Sequence, residues 1–378
     1  MIPFIDLKTQ YTRIKDDVDA RIHAVLDSGQ YVMGPAVTAF EEELCAYTGA
    51  RHAISCSSGT DALFMPLLAM GVGAGDAVFV PSFTYTSTAE AILLAGASPV
   101  FVDITADTFL INMDDLRAKI AQTRAAGHLT PRAIMPVDLF GQPADYAALN
   151  ALAREEGLKI VADAAQAFGA RKGETMAGAM TDITATSFYP SKPLGCYGDG
   201  GAIFTDDDTL ADVLRSVRSH GKGSHKYDVV RIGVNGRLDS IQAAILSSKL
   251  SILEDELAER ERVACRYDAA LAEVLDVPAR VPDSRSAWAQ YTIRTSDRER
   301  LQAGCKAANV PSMVFYPVPM HLQPAYSAYG AGEGSLPVSE QVAQEVVSLP
   351  MNPYLSDAQV DTVCTAVRDA LSVTPVAK

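Results

Sequence analysis

Cooperating cysteines are missing from this chain. Its six cysteines, at 45, 56, 196, 265, 305 and 364, are scattered and form no C-x-x-C pair. Neither a zinc site nor a disulfide framework is suggested, and a cytoplasmic setting is the expectation. Long apolar runs are missing as well. The richest stretch, residues 89–102, is too short for a membrane span and contains Pro99. The opening residues, Met1-Ile2-Pro3-Phe4-Ile5-Asp6, lack the charged and apolar regions of a secretory signal. Positive charge is scarce: 32 Lys and Arg face 46 Asp and Glu, a net charge of −14. That balance argues against nucleic acid or an anionic membrane as a partner. Tryptophan occurs once, at Trp288, and is assigned a structural role.

What is present is an ordinary globular mixture, 48% hydrophobic and 21% charged over 378 residues. That length supports more than one domain. From about residue 50 to 206, short apolar runs alternate with helical periodicity. Strands are expected over 52–56, 77–81, 98–103, 133–139, 159–163, 184–188 and 202–205. Amphipathic helices are expected over 61–70, 88–94, 113–122 and 146–156. The alternation predicts an α/β fold with a mostly parallel central sheet and helices on both faces. Runs such as Ala133-Ile134-Met135-Pro136-Val137 are continuous, as in strands buried on both faces.

Helices over 11–27 and 37–47 precede the sheet, the first stopping at Ser28-Gly29. A long helical stretch over 239–274 is expected to bridge to a smaller α+β unit. Strands at 290–294 and 313–316 and helices at 298–309 and 357–371 complete that unit. A large domain over 1–245, with an N-terminal helical arm, and a small one over 246–378 follow as the expectation.

In an open α/β sheet, ligands sit at the carboxyl ends of the strands. Asp163 ends one expected strand, in Asp163-Ala164-Ala165-Gln166. Lys192 lies in a loop after Ser187-Phe188-Tyr189. A loop lysine and a strand-end carboxylate in this order suit pyridoxal phosphate. The amine forms a Schiff base with the aldehyde, and the carboxylate keeps the pyridine nitrogen protonated. Lys192 then serves as the base that moves a proton, which requires a neutral amine and a lowered pKa.

Other residues converge on the same edge. Ser58-Gly59-Thr60 opens a helix, either as a plain N-cap or as a phosphate site with Ser187. Tyr85 either stacks on the pyridine ring or packs in the core. Gln166 is read as a hydrogen-bond partner of the ring's phenolic oxygen or as a polar loop residue. One segment opposes the acidic trend. Arg215, Arg218, Lys222, Lys226, Arg231 and Arg237, with His220 and His225, face only Asp228. The segment is either a solvated helix end and loop or a site for an anionic substrate such as a nucleotide diphosphate.

The chain resembles the DegT/DnrJ/EryC1/StrS family of nucleotide-sugar aminotransferases, pyridoxal phosphate enzymes of fold type I. The resemblance runs from Ile2-Pro3-Phe4-Ile5-Asp6-Leu7 through Gly34-Pro35 and Ser58-Gly59-Thr60-Asp61-Ala62-Leu63. It continues with Asp163-Ala164-Ala165-Gln166 and with the Lys192 segment through Gly198-Asp199-Gly200-Gly201. Gly233-Val234-Asn235-Gly236-Arg237-Leu238 and Tyr316-Pro317-Val318-Pro319 with His321 close it. The resemblance implies that Lys192 is the Schiff-base lysine, Asp163 the pyridinium partner, and Gly59, Thr60 and Ser187 phosphate ligands. It implies that Asn235 reaches the phosphate from a neighbouring subunit, making a homodimer.

Relatives with His at the lysine position run a dehydration; Lys192 favours transamination through a pyridoxamine phosphate form. The loop Ser191-Lys192-Pro193-Leu194-Gly195-Cys196-Tyr197-Gly198-Asp199 is similar to that of members aminating C3. It is especially similar to that of the enzymes acting on UDP-2-acetamido-2-deoxy-3-oxo-glucuronate in bacterial O-antigen pathways, and the family resemblance implies L-glutamate as the amino donor. Arg237, Lys222, Lys226 and Arg231 are the substrate-binding candidates; Tyr316 and His321 either join them or pack between the small domain and the large one. Two alternatives remain: C3 amination of a dTDP-linked 3-keto-6-deoxy sugar, and a non-catalytic sensor that binds a nucleotide sugar.

Overall fold

The computed structural model describes residues 2–225 and 227–372. Its centre is a seven-stranded sheet. In chain order the strands are β1 (His52–Cys56), β2 (Asp76–Pro81), β3 (Ser98–Val102), β4 (Thr130–Ile134), β5 (Lys159–Asp163), β6 (Ile183–Ser187) and β7 (Gly201–Thr205). Across the sheet the order is β1-β7-β6-β5-β4-β2-β3. Every neighbouring pair is parallel except those made by β7, which runs against both β1 and β6.

Strand periodicity sorts the apolar side chains onto two faces. Ile54, Val78, Val161, Ile183 and Ile203 pack with Leu63, Met65, Ile92 and Leu214. These come from the helices Gly59–Ala69, Thr86–Leu94 and Asp208–Val217. Their strand neighbours in sequence face the other way. Ala53 and Phe204 meet Phe40 and Leu44 of the Pro35–Thr48 helix. Phe79, Ile134 and Ile160 meet Leu116 and Leu149 of the helices Met113–Ala126 and Tyr146–Glu156. The sheet is therefore covered on both faces, as its continuous apolar strands require. A further core joins Tyr267, Leu271, Tyr291, Ile293, Leu301, Val347 and Val363. Trp288 is buried beside it and donates through Nε1 to Glu261 Oε2 at 2.6 Å. No helix among the described residues is long and apolar enough to cross a membrane.

Helix ends follow local chemistry. Asp6, Asn112, Asp145 and Asp207 each accept a backbone N–H from the first turn of the following helix. Gly29 ends the Leu7–Ser28 helix in the left-handed region at φ 65°, where a Cβ is unfavourable.

Three expected elements differ. The strand over 133–139 leaves the sheet after Ile134, because Pro136 has no N–H to continue the ladder. Only Val137 still bridges to Asp163. The helix over 239–274 is two helices, Ser240–Leu250 and Leu253–Leu271. Ile252 sits between them at φ −111°, and Glu254, Asp255 and Glu256 start the second at its positive dipole end. The strand over 313–316 is reduced to a single bridge from Met313 to Ser348. Pro317 and Pro319 follow at once and cannot donate to a ladder.

Candidate active site

The carboxyl ends of β1, β2, β5 and β6 open onto one cleft of about 540 Å³. Its wall takes Ser58, Gly59 and Thr60 after β1, and Thr84, Tyr85 and Ser87 after β2. Asp163 and Gln166 come from the end of β5, and Ser187, Ser191 and Lys192 from the end of β6. Tyr316 and Gln290 close it from the C-terminal part of the chain, and Phe4 and Ile5 from the N-terminus.

Asp163 is buried, with 6% of its surface exposed. Thr88 Oγ1 donates to its Oδ2 at 2.7 Å, and the Ala165 N–H donates to Oδ1 at 3.1 Å. Burial pushes this carboxyl above its ordinary pKa; the Thr88 and Ala165 donors and the Lys192 charge pull it back. Lys192 shows the opposite tendency. Burial lowers its pKa from 10.5, while the Asp163 charge raises it. Burial therefore works against both charges, that of the amine and that of the carboxylate.

The helix Gly59–Ala69 begins against Ser187. A Cβ on Gly59 would lie 2.6 Å from Ser187 Cβ and 2.9 Å from its Oγ, so only glycine permits this approach. The first N–H bonded to the Ser58 carbonyl belongs to Ala62, so the amides of Gly59 and Thr60 precede the helical ladder. Thr60 Oγ1 donates to Ser87 Oγ at 3.0 Å, adding hydroxyls to the same corner. Unladdered amides, hydroxyls and a helix dipole form a cradle for a phosphate. A buried carboxylate on one side of the cleft and a charge-averse lysine on another match a protonated pyridine nitrogen and an aldehyde. The residues present fit pyridoxal phosphate.

Gln166 is buried and engaged at both ends. Its Oε1 accepts from the Phe140 N–H at 2.7 Å, and its Nε2 donates to Tyr316 Oη at 3.1 Å. Tyr316 is thereby fixed in the cleft wall, its ring 6.0 Å from the half-exposed ring of Tyr85. Burial raises the Tyr316 phenol, so it stays protonated and can donate.

The remaining candidates do not line this cleft within one chain. His321 is 2% exposed, with Nδ1 2.6 Å from Ser82 Oγ and Nε2 3.0 Å from Glu340 Oε1. Lys222, Arg231 and Asn235 are exposed, and Arg237 is half-buried. Lys226 lies outside the described residues. Two members of the basic segment have internal partners. Arg215 meets Asp212 and His52. Arg218 is buried against Glu41 and the Ser55 carbonyl.

Several site residues escaped the sequence reading. Thr88 lies in the same hydroxyl-rich run as Tyr85, one helical turn on, and that spacing was its only signal. Phe4 and Ile5 stand in the motif that opens the family resemblance, but nothing in it assigns them to the cleft. Their segment is held by distant contacts, from Asn352 Nδ2 to the Pro3 carbonyl at 3.1 Å and from Met351 N to the Phe4 carbonyl at 3.3 Å.

Known proteins share the sequence pattern and the fold of this chain. Residues 12–368 match the DegT/DnrJ/EryC1/StrS aminotransferase family. The UDP-2-acetamido-2-deoxy-3-oxo-D-glucuronate aminotransferase of Pseudomonas aeruginosa is 48% identical over 97% of this chain and 99% of its own. The dTDP-3-amino-3,4,6-trideoxy-alpha-D-glucose transaminase of Streptomyces venezuelae is 42% identical, over 97% of this chain and 96% of its own. The crystal structure of a DegT DnrJ EryC1 StrS aminotransferase from Brucella abortus superposes with a TM-score of 0.97 at 51% identity. It covers 99% of this chain and 100% of that one. This chain belongs to the DegT/DnrJ/EryC1/StrS aminotransferase family, and pyridoxal phosphate is its cofactor.

Proposed function

We propose that the chain transfers the amino group of L-glutamate to C3 of UDP-2-acetamido-2-deoxy-3-oxo-glucuronate. It does so as a cytoplasmic homodimer serving bacterial O-antigen synthesis. The observation that carries the transamination is Lys192, a lysine in the cleft whose burial disfavours its charge, with Asp163 nearby. The choice of sugar is supported by the 48% identity to the Pseudomonas aeruginosa aminotransferase, against 42% to the dTDP-sugar transaminase.

When bound, pyridoxal phosphate supplies an aldehyde that bonds amines and a ring that draws electrons from the adjoining carbon. The chain's residues do the rest. Gly59, Thr60 and Ser187 would hold the phosphate, and Asp163 would keep the ring nitrogen protonated. Lys192 Nζ, once freed, would take the proton from the α-carbon of L-glutamate; the amino group would stay with the cofactor, and water would supply the keto oxygen of the departing 2-oxoglutarate. In the second half of the cycle that amino group would pass to C3 of the keto sugar, the keto oxygen leaving as water, and Lys192 would deliver the proton to C3. The Tyr316 hydroxyl, oriented by Gln166, offers a donor to an oxygen in the cleft.

The partner copy completes the site in this reading. Val229, Val230 and Ile232 expose 64%, 53% and 78% of their surface on the segment that carries Lys222, Arg231 and Asn235. Such apolar exposure suits a covered surface. Asn235, Lys222, Arg231 and Arg237 would enter the neighbour's cleft and meet the phosphate, the diphosphate and the sugar carboxylate.

The test is amine transfer to two acceptors, the UDP-linked 3-keto sugar acid and a dTDP-linked 3-keto-6-deoxy sugar, with the products read by mass spectrometry. The UDP sugar acid is expected to be the better acceptor in kcat/KM. Equal or better use of the neutral dTDP sugar would discard the acid-specific reading.

A further inference from the structure

Behind the cleft, the loop that carries Lys192 is held by a second lysine. Lys249 lies in the last turn of the Ser240–Leu250 helix and is 1% exposed. Its Nζ donates to the Gly195 carbonyl at 2.6 Å and stands 4.2 Å from the centroid of the Tyr197 ring. Burial pushes this ammonium down to about 8, while Glu256 pulls it back up.

A buried cation is costly and needs a reason. Glu256 does not take it up directly: that carboxylate accepts from Gln10 Nε2 at 2.9 Å and from the Tyr354 hydroxyl. The ammonium's direct contacts are instead two points on the loop between β6 and β7. That loop is tightly wound. The Lys192 N–H donates to the Tyr189 carbonyl at 2.9 Å, and a Cβ on Gly195 would lie 2.6 Å from the Pro190 carbonyl oxygen. The same helix grips it a second time, through Gln242 Oε1, which accepts from the Tyr197 N–H at 2.9 Å.

We propose that Lys249 is a positioning residue for Lys192. By clamping the Gly195 carbonyl and the Tyr197 ring, it fixes the turn 189–197 so that the Lys192 amine faces the cleft beside Asp163. A charged donor and a cation–π contact hold the loop more firmly than neutral groups would. This inference rests on the assignment of Lys192 made above.

The test follows the rate at which the apoprotein forms a borohydride-reducible bond between Lys192 and added pyridoxal phosphate. Lys249→Met is expected to slow that capture by about tenfold or more, the scale on which a misplaced reacting group loses rate. A merely structural role predicts a general weakening of the site instead. Cofactor affinity is therefore compared between Lys192→Ala and the Lys192→Ala/Lys249→Met double variant. Equal affinities are expected, because the effect of Lys249 runs through Lys192. An unchanged capture rate, or an affinity loss that persists without Lys192, would overturn the proposal. Should Lys249→Met fail to fold, Tyr197→Leu removes one of the two clamped points. Slower capture is expected there too, and the parent rate would reject the proposal. A parent protein that forms no such bond would remove the Lys192 assignment itself, and this inference with it.

Discussion

Lys192→Ala is expected to fold normally and to lose amine transfer by about 10⁴-fold or more, since it removes both the covalent anchor and the proton-moving base. The fold has no need of this side chain. Its amine lines the cleft, while the turn around it is held by backbone bonds that alanine keeps, among them Lys192 N to the Tyr189 carbonyl. Burial works against the lysine's charge, so its removal relieves an unfavourable term. Circular dichroism and thermal melting should match the parent. The phosphate cradle at Gly59, Thr60 and Ser187 is untouched, so the variant should still bind pyridoxal phosphate without a covalent bond. Transfer near the parent rate, measured with glutamate and the keto sugar, would remove Lys192 from the chemistry.

Asp163→Asn is expected to reduce transfer by about 10²–10³-fold, the loss typical when a charge-stabilising group is taken from an active site. The substitution keeps the shape and leaves an oxygen to accept from Thr88 or Ala165. What disappears is the negative charge that keeps the ring nitrogen protonated and the ring able to accept electrons. Folding should not suffer, because burial already disfavours that charge. The bond between Lys192 and the cofactor should still form, since it does not require the carboxylate. The pair of variants thus separates roles: Lys192→Ala loses the bond, and Asp163→Asn keeps it. Single-turnover absorbance with glutamate reads the difference. A loss below about tenfold would show that Asp163 is not the electrostatic partner of the ring.

The sheet was readable because its strands are buried on both faces. Short apolar runs such as residues 160–162, set between turn signals, suit strands covered on both faces, and the polar residue that follows this one, Asp163, marks the ligand edge. The cradle was readable for a similar local reason, a glycine and hydroxyls opening a helix. Features set by distant contacts were not. Nothing near Thr88 announces that its hydroxyl meets Asp163, 75 residues later. The break at Ser251–Ile252 interrupts a stretch whose composition stays helical throughout. The basic segment shows the limit of counting charges. Arg218 belongs to the fold, held against Glu41 and Ser55, whereas Lys222 and Arg231 project outward. The sequence treats all of them alike. His321 is similar: its two ring nitrogens face Ser82 and Glu340, partners brought in by the tertiary fold.

The central claim is that this cleft uses Lys192 and pyridoxal phosphate to accept an amine from L-glutamate. It is tested most directly by the visible absorption spectrum of the purified protein loaded with pyridoxal phosphate, before and after L-glutamate. A yellow band that bleaches on adding glutamate, with one 2-oxoglutarate released per site, is the expected result. A protein that develops no band with pyridoxal phosphate, or a band that glutamate leaves unchanged, would contradict it.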